Sequence, residues 1–144
     1  MKIAIVNGPN LNLTGSREPQ IYGRTDFDTL LSTLRSAHPD VEIVYFQSNI
    51  EGALIDFLHS CIGNTQGIIL NAGAYTHTSI ALADAISAVA IPCIELHLSN
   101  VFAREEYRKT SYIASKCIGS ISGLGMYGYK LALAYFINAG EDAS

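Results

Sequence analysis

Glu95 and His97 are the residues whose types and spacing point most directly to chemistry. They stand two apart in Pro92–His97, a run short and apolar enough to be a strand. Residues i and i+2 of a strand share a face. A carboxylate and an imidazole side by side on a half-buried face are costly unless each serves the other. The carboxylate fixes the ring tautomer and holds a proton on it, which makes His97 a candidate general acid. The same spacing also suits a structural His–Glu pair. A second combination, Arg17 with Tyr22, falls in a polar segment from Gly8 to about Thr25. Each is an ordinary surface residue taken alone, but together they allow a tyrosinate base. A phenol with an ordinary pKa near ~10 must fall by about 3 units, or about 4 kcal/mol, to be a useful anion at neutral pH. A cation at roughly 4 Å supplies about that much gross Coulomb energy at an effective dielectric near 20, and only about 1 kcal/mol in open water. The segment must therefore close over the site, and its length suits a lid.

Three further side chains carry weaker signals. His77 precedes a helical stretch whose N-terminus favours anions, although a histidine there can simply cap the helix. Asp84 lies on the helical face opposite Leu82, so it points away from its own sheet, toward solvent or a neighbouring subunit. Arg108 can meet a substrate oxygen or pair with Glu105.

These residues need a scaffold, and the chain supplies alternating strand-like and helix-like runs. Lys2–Asn7, Val41–Gln47, Gly67–Asn71, Pro92–His97 and Cys117–Ser122 read as five strands. Between them, Phe27, Leu30, Leu31, Leu34 and Ala37 recur at helical spacing behind Asp26, a capping residue, and Pro39 ends that helix. Leu54, Phe57, Leu58, Cys61 and Ile62 mark a second helix. Leu82, Ala85, Ile86 and Val89 mark a third, capped by Thr78 or Ser79. A last helix is predicted from about Leu124 to Asn138, with a frayed tail over Gly140–Ser144. Alternation of this kind gives a parallel sheet covered on both faces. Size and precedent suggest a single α/β domain over residues 1–144, a flavodoxin-like three-layer sandwich with strand order 2-1-3-4-5. Ligands of such sheets bind beyond the carboxyl ends of the strands. There the sequence collects Asn7, Asn10, Gln47, Asn49, Asn71, Glu95, His97, Ser99 and Asn100.

Composition narrows the classes. The 144 residues are 49% hydrophobic, which excludes disorder. Nine basic against 13 acidic residues give a net charge of −4, which speaks against nucleic-acid binding. Only 15% of residues are charged, against roughly 25% in soluble domains. We read the deficit as surface covered by subunit contacts in a homo-oligomer. No run approaches the ~18 apolar residues of a membrane span, and the first residues read as a strand rather than a signal peptide. Cys61, Cys93 and Cys117 form no CxxC motif and read as buried thiols in a reducing cytoplasm. No phosphate loop, dinucleotide fingerprint or metal-ligand spacing is present. No lysine is placed for a Schiff base.

The ordered set of segments resembles the type II 3-dehydroquinate dehydratases. The matching segments are Asn7-Gly8-Pro9-Asn10-Leu11-Asn12-Leu13, Arg17-Glu18-Pro19 with Tyr22-Gly23, Gln47-Ser48-Asn49, Asn71, Gly73–Ser79, Asp84, Glu95–Asn100, Arg104-Glu105-Glu106 with Arg108, and Gly128-Tyr129. The resemblance implies dehydration of 3-dehydroquinate to 3-dehydroshikimate by anti elimination through an enolate, with no metal and no organic cofactor. It implies Tyr22 as base, Arg17 as the cation that lowers its pKa, and Asn10 as holder of a water at the enolate. It further implies His97 as acid oriented by Glu95, with Asn71, His77, Leu98, Ser99 and Arg108 binding substrate. It also implies Asp84 completing an adjacent subunit's pocket, in dodecamers built from trimers. Ala83 stands where the family often carries a basic residue, which removes a charge beside Asp84.

Overall fold

The computed structural model describes residues 1–14 and 26–142. Arg17 and Tyr22 lie outside the described residues. Lys2–Asn7 forms β1, an apolar stretch in which Ile3 and Ile5 join one core cluster and Ala4 and Val6 the other. This two-residue period puts a buried layer on each face of the sheet, as parallel sheets require. Glu42–Gln47 is β2, Gly67–Asn71 β3, Cys93–His97 β4 and Gly119–Ser122 β5. All pair in parallel, in the order β2-β1-β3-β4-β5. The predicted order is therefore the observed one.

Helices α1 (Phe27–Ala37) and α4 (Tyr127–Asp142) cover one face. Helices α2 (Glu51–Ser60) and α3 (Ile80–Val89) cover the other. Asp26 caps α1 as expected, its carboxylate accepting from the Thr29 amide at 2.8 Å. For α3 the choice between Thr78 and Ser79 falls to Ser79, whose hydroxyl accepts from the Leu82 amide at 2.9 Å. Among the described residues no helix is long and apolar enough to cross a membrane.

Several boundaries differ from expectation. The last helix begins at Tyr127 rather than Leu124. Gly123 and Gly125 hold φ of +88° and +61°, and their amides turn back to the carbonyls of His97 and Leu98 at 3.2 and 3.0 Å. Both positions are left-handed, which glycine adopts at no steric cost. The same helix continues to Asp142, through the glycine expected to begin a frayed tail. β5 starts at Gly119, not Cys117, because the Cys117 amide is spent on a turn to the Ala114 carbonyl. Helix α2 stops at Ser60, leaving Cys61 buried in the turn and Ile62 58% exposed. Cys117 is half-buried rather than buried.

The sheet changes direction at β1, which carries β2 on one side and β3 on the other. Asn7 of β1 and Asn71 of β3 are register partners at this switch point, and the loops after them run close together. A Cβ on Gly8 would sit 2.4 Å from the Ala72 carbonyl oxygen, so nothing larger than glycine fits without moving backbone. Gly8→Ala is expected to destabilise the fold by about 1–3 kcal/mol. At Gly52, inside α2, a Cβ would meet nothing within 4 Å. Gly52→Ala should instead stabilise by roughly 0.5–1 kcal/mol. Urea midpoints at equal protein concentration measure both; a Gly8→Ala midpoint matching wild type would contradict the close approach.

Candidate active site

β4 delivers the predicted pair. His97 Nε2 lies 2.6 Å from Glu95 Oε1, and the two residues are 8% and 3% exposed. Ser111 donates its hydroxyl to the same carboxylate oxygen at 2.8 Å. Burial pushes the Glu95 carboxyl up. The hydrogen bond and charge of His97, the Ser111 hydroxyl and the charge of His77 outweigh burial and leave its pKa below the ordinary 4.5. Glu95 is thus a carboxylate at neutral pH, and His97 Nε2 must be the donor in their bond. His77 stands beside this pair, its ring 6.2 Å from that of His97 and inclined by 20°. His77 Nδ1 lies 2.7 Å from the Thr110 carbonyl. A carbonyl only accepts, so Nδ1 carries the proton.

The pair opens on a pocket at the carboxyl end of the sheet. Its wall includes Asn10, Asn71, His77, His97, Leu98 and Ser99, together with Arg104 and Arg108. The carbonyls of His97, Leu98 and Ser99 are tied down by Gly123, Gly125 and the Ser122 hydroxyl. The strand-end segment is therefore held from the β5 side. Arg104 donates to the Ser99 hydroxyl at 3.2 Å. Arg108 lies 2.6 Å from Glu105 Oε2, so both roles open to it in the sequence are compatible: it pairs and it lines the pocket. Asn10 holds φ of +69°, a left-handed conformation that asparagine tolerates, and its amide donates to Asn49 Oδ1 at 3.0 Å.

The chain matches the family model "Dehydroquinase class II" over residues 1–137. The chain belongs to the class II dehydroquinase family. It is 53% identical over 140 residues to the 3-dehydroquinate dehydratase of Synechococcus sp. strain CC9902, covering 96% of each chain. The 3-dehydroquinate dehydratase of an Exiguobacterium species is 54% identical over 134 residues, 92% of each. Among solved structures, the type II dehydroquinase of Butyrivibrio crossotus superposes with a TM-score of 0.91 at 42% identity, over 95% of this chain and 97% of that one. That of Propionibacterium acnes gives 0.88 at 38% identity, over 93% and 94%.

On this dehydroquinase frame, seven of the residues expected at the site line one pocket: Asn10, Asn71, His77, His97, Leu98, Ser99 and Arg108. Glu95 sits behind His97, in bonding contact with it. Asp84 is exposed on α3 and is not part of the pocket wall. Arg104 lines the pocket, and its role was not singled out in the sequence. The deeper omission is Tyr129. This fully buried phenol donates to Asn7 Oδ1 at 2.7 Å and accepts from Asn71 Nδ2 at 3.3 Å. Burial pushes its pKa well up despite those two partners, so it remains a donor at any ordinary pH. Asn71 Oδ1 accepts from the Gly73 amide at 3.2 Å, which completes the orientation of its side chain. Tyr129→Phe leaves Asn7 Oδ1 buried without its phenolic donor and should cost about 1–3 kcal/mol in a urea titration; no loss would remove the network from the account of stability.

The depressed Glu95 pKa has a definite pH signature. The unfolded carboxyl binds its proton more tightly than the folded one. Its contribution to stability is therefore complete above the ordinary 4.5 and is lost as pH falls through the lower folded value. Glu95→Gln has no such proton to gain. The stability gap between wild type and Glu95→Gln should shrink as pH drops below 4.5. Urea midpoints across that range test it, and a constant gap would assign the acid sensitivity elsewhere.

Proposed function

We propose that this chain is a 3-dehydroquinate dehydratase, a lyase that converts 3-dehydroquinate to 3-dehydroshikimate. The observation that carries the reading is the buried Glu95–His97 pair opening on a pocket with two arginines, on the class II dehydroquinase frame. In the proposed reaction Tyr22, as phenolate beside Arg17, takes a proton from the carbon next to the ketone. The electron pair moves onto the ketone oxygen as an enolate, beside a water held by Asn10. The enolate then collapses, the carbon–carbon double bond forms, and the hydroxyl leaves as water with a proton from His97. Because Nε2 is committed to Glu95, Nδ1 is the nitrogen that delivers this proton. Base and acid act from opposite faces of the ring, which makes the elimination anti. Arg108, His77, Asn71, Leu98 and Ser99 bind the substrate carboxylate and hydroxyls. A negatively charged substrate suits a wall that Arg104 and Arg108 both line.

The same reading places the enzyme in the shikimate route to aromatic compounds or in quinate breakdown, in the cytoplasm. Each polypeptide is one functional domain. Copies assemble as a dodecamer built from trimers, in which Asp84 reaches an adjacent subunit's pocket. The exposure of Asp84 and of Phe102, Tyr107, Tyr127 and Tyr135 supports surface that a partner copy covers. Purified protein mixed with 3-dehydroquinate should develop the ultraviolet absorbance of a conjugated enone. Tyr22→Phe should bind substrate and lose turnover at least about 100-fold, the size of general-base effects. Near-normal turnover in that variant would remove Tyr22 as base. Borohydride with substrate should leave activity intact, since no imine forms.

A further inference from the structure

Ser111 lies on the segment between the charged turn at Arg104–Arg108 and β5, and the reaction described above makes no use of it. Its position is fixed from both flanks. The flanking Thr110 carbonyl accepts from His77 Nδ1 at 2.7 Å, and the flanking Tyr112 amide donates to the Thr76 carbonyl at 2.9 Å. The next residue, Ile113, is fully buried in the core beneath α2 and α3. Ser111 Oγ accepts from the Ala114 amide at 3.0 Å. With that lone pair occupied, its one proton points to Glu95 Oε1, 2.8 Å away. The same oxygen receives His97 Nε2.

We propose that Ser111 is a positioning residue for proton delivery by His97, acting through Glu95. Its hydroxyl holds Glu95 Oε1 at the place where His97 Nε2–H must be met, and so holds the His97 ring in its delivering orientation. The proposal rests on the reading of His97 as the acid. Among the described residues, the groups facing Glu95 are His97 and Cys93 on its own strand, His77 from the turn after β3, and Ser111 itself. The Cys93 thiol is pushed up, first by its hydrogen bond with Cys117 and then by burial, and so adds no charge. Removal of Ser111 therefore withdraws one of the donors that favour the Glu95 carboxylate.

The test compares Ser111→Ala, Ser111→Cys and Ser111→Thr with wild type on 3-dehydroquinate across pH. Ser111→Ala should lower kcat about 10-fold, which is the scale of a lost hydrogen bond to a charged group. KM should stay within about twofold. The acid limb of kcat should move to higher pH, because Glu95 takes up its proton more readily. Ser111→Thr keeps the hydroxyl and should recover most of the rate. Unchanged kcat and acid limb in Ser111→Ala overturn the proposal, as does equal loss in Ala and Thr variants. If the alanine variant fails to fold, Ser111→Cys carries the test, with similar volume and a poor donor; a wild-type kcat there also overturns it. Wild type that does not convert 3-dehydroquinate refutes the functional reading instead. In that event the His97 Nε2 proton still decides the positioning role. It should resonate far downfield in wild type and shift upfield in Ser111→Ala, and an unmoved resonance sinks the proposal.

Discussion

A carboxylate 3% exposed to solvent is the constraint around which this molecule is arranged. The desolvation cost of such a group amounts to several kcal/mol in a folded protein. Glu95 stays ionised because His97 Nε2–H and the Ser111 hydroxyl both reach it. Neither donor can be lost cheaply. Removing a donor from a buried acceptor costs about 1–3 kcal/mol, and more where the acceptor is charged. The pair therefore fixes its own geometry and, with it, the direction in which the imidazole meets the pocket. Strand β4 makes this possible, since its two-residue period puts Cys93, Glu95 and His97 on one face and Ile94 and Leu96 on the other.

The second polar cluster does similar work at the switch point. Asn7 and Asn71 end neighbouring strands, and their buried side-chain amides need partners. Tyr129 reaches them from α4 and satisfies an oxygen on one and an amide on the other. The helix is thereby locked in register against the sheet, and its ring packs edge-on against Phe27 of α1 at 5.0 Å. One phenol connects two helices and two strand ends. Its high pKa follows from that enclosure: burial raises it more than its two amide partners lower it.

What could be read from the sequence was local, and what could not was distant. β1 and β3 are found at the bounds expected from their apolar runs, and Asp26 caps its helix, because these signals lie within a few residues. The Glu95–His97 contact spans two positions of one strand and was legible for the same reason. Ser111 meets Glu95 from 16 positions away, and Tyr129 meets Asn71 and Asn7 from 58 and 122 positions away. Periodicity carries no signal across such separations. The late start of α4 has a different cause. The sequence places the start of the last helix at about Leu124, but Gly123 and Gly125 adopt left-handed backbone to return hydrogen bonds to the β4 end. Strand order was available only from precedent, since no single residue encodes which edge of a sheet a strand joins.

Charge placement shows how a chain of net charge −4 presents a cationic wall. Arg104 and Arg108 both face the pocket, and Glu105 lies between them, 3.9 and 2.6 Å away. The Glu105 side chain is half exposed, at 50%, whereas the two guanidinium side chains are 20% and 22% exposed. Pairs with one solvated partner are screened by water and weak. Glu105 therefore orients the arginines without neutralising them at depth. The buried charge, Glu95, is by contrast held by donors on two sides and gives up none of them. The two anions thus differ in solvation: Glu105 stands half exposed beside the arginines, and Glu95 is enclosed against His97 and Ser111.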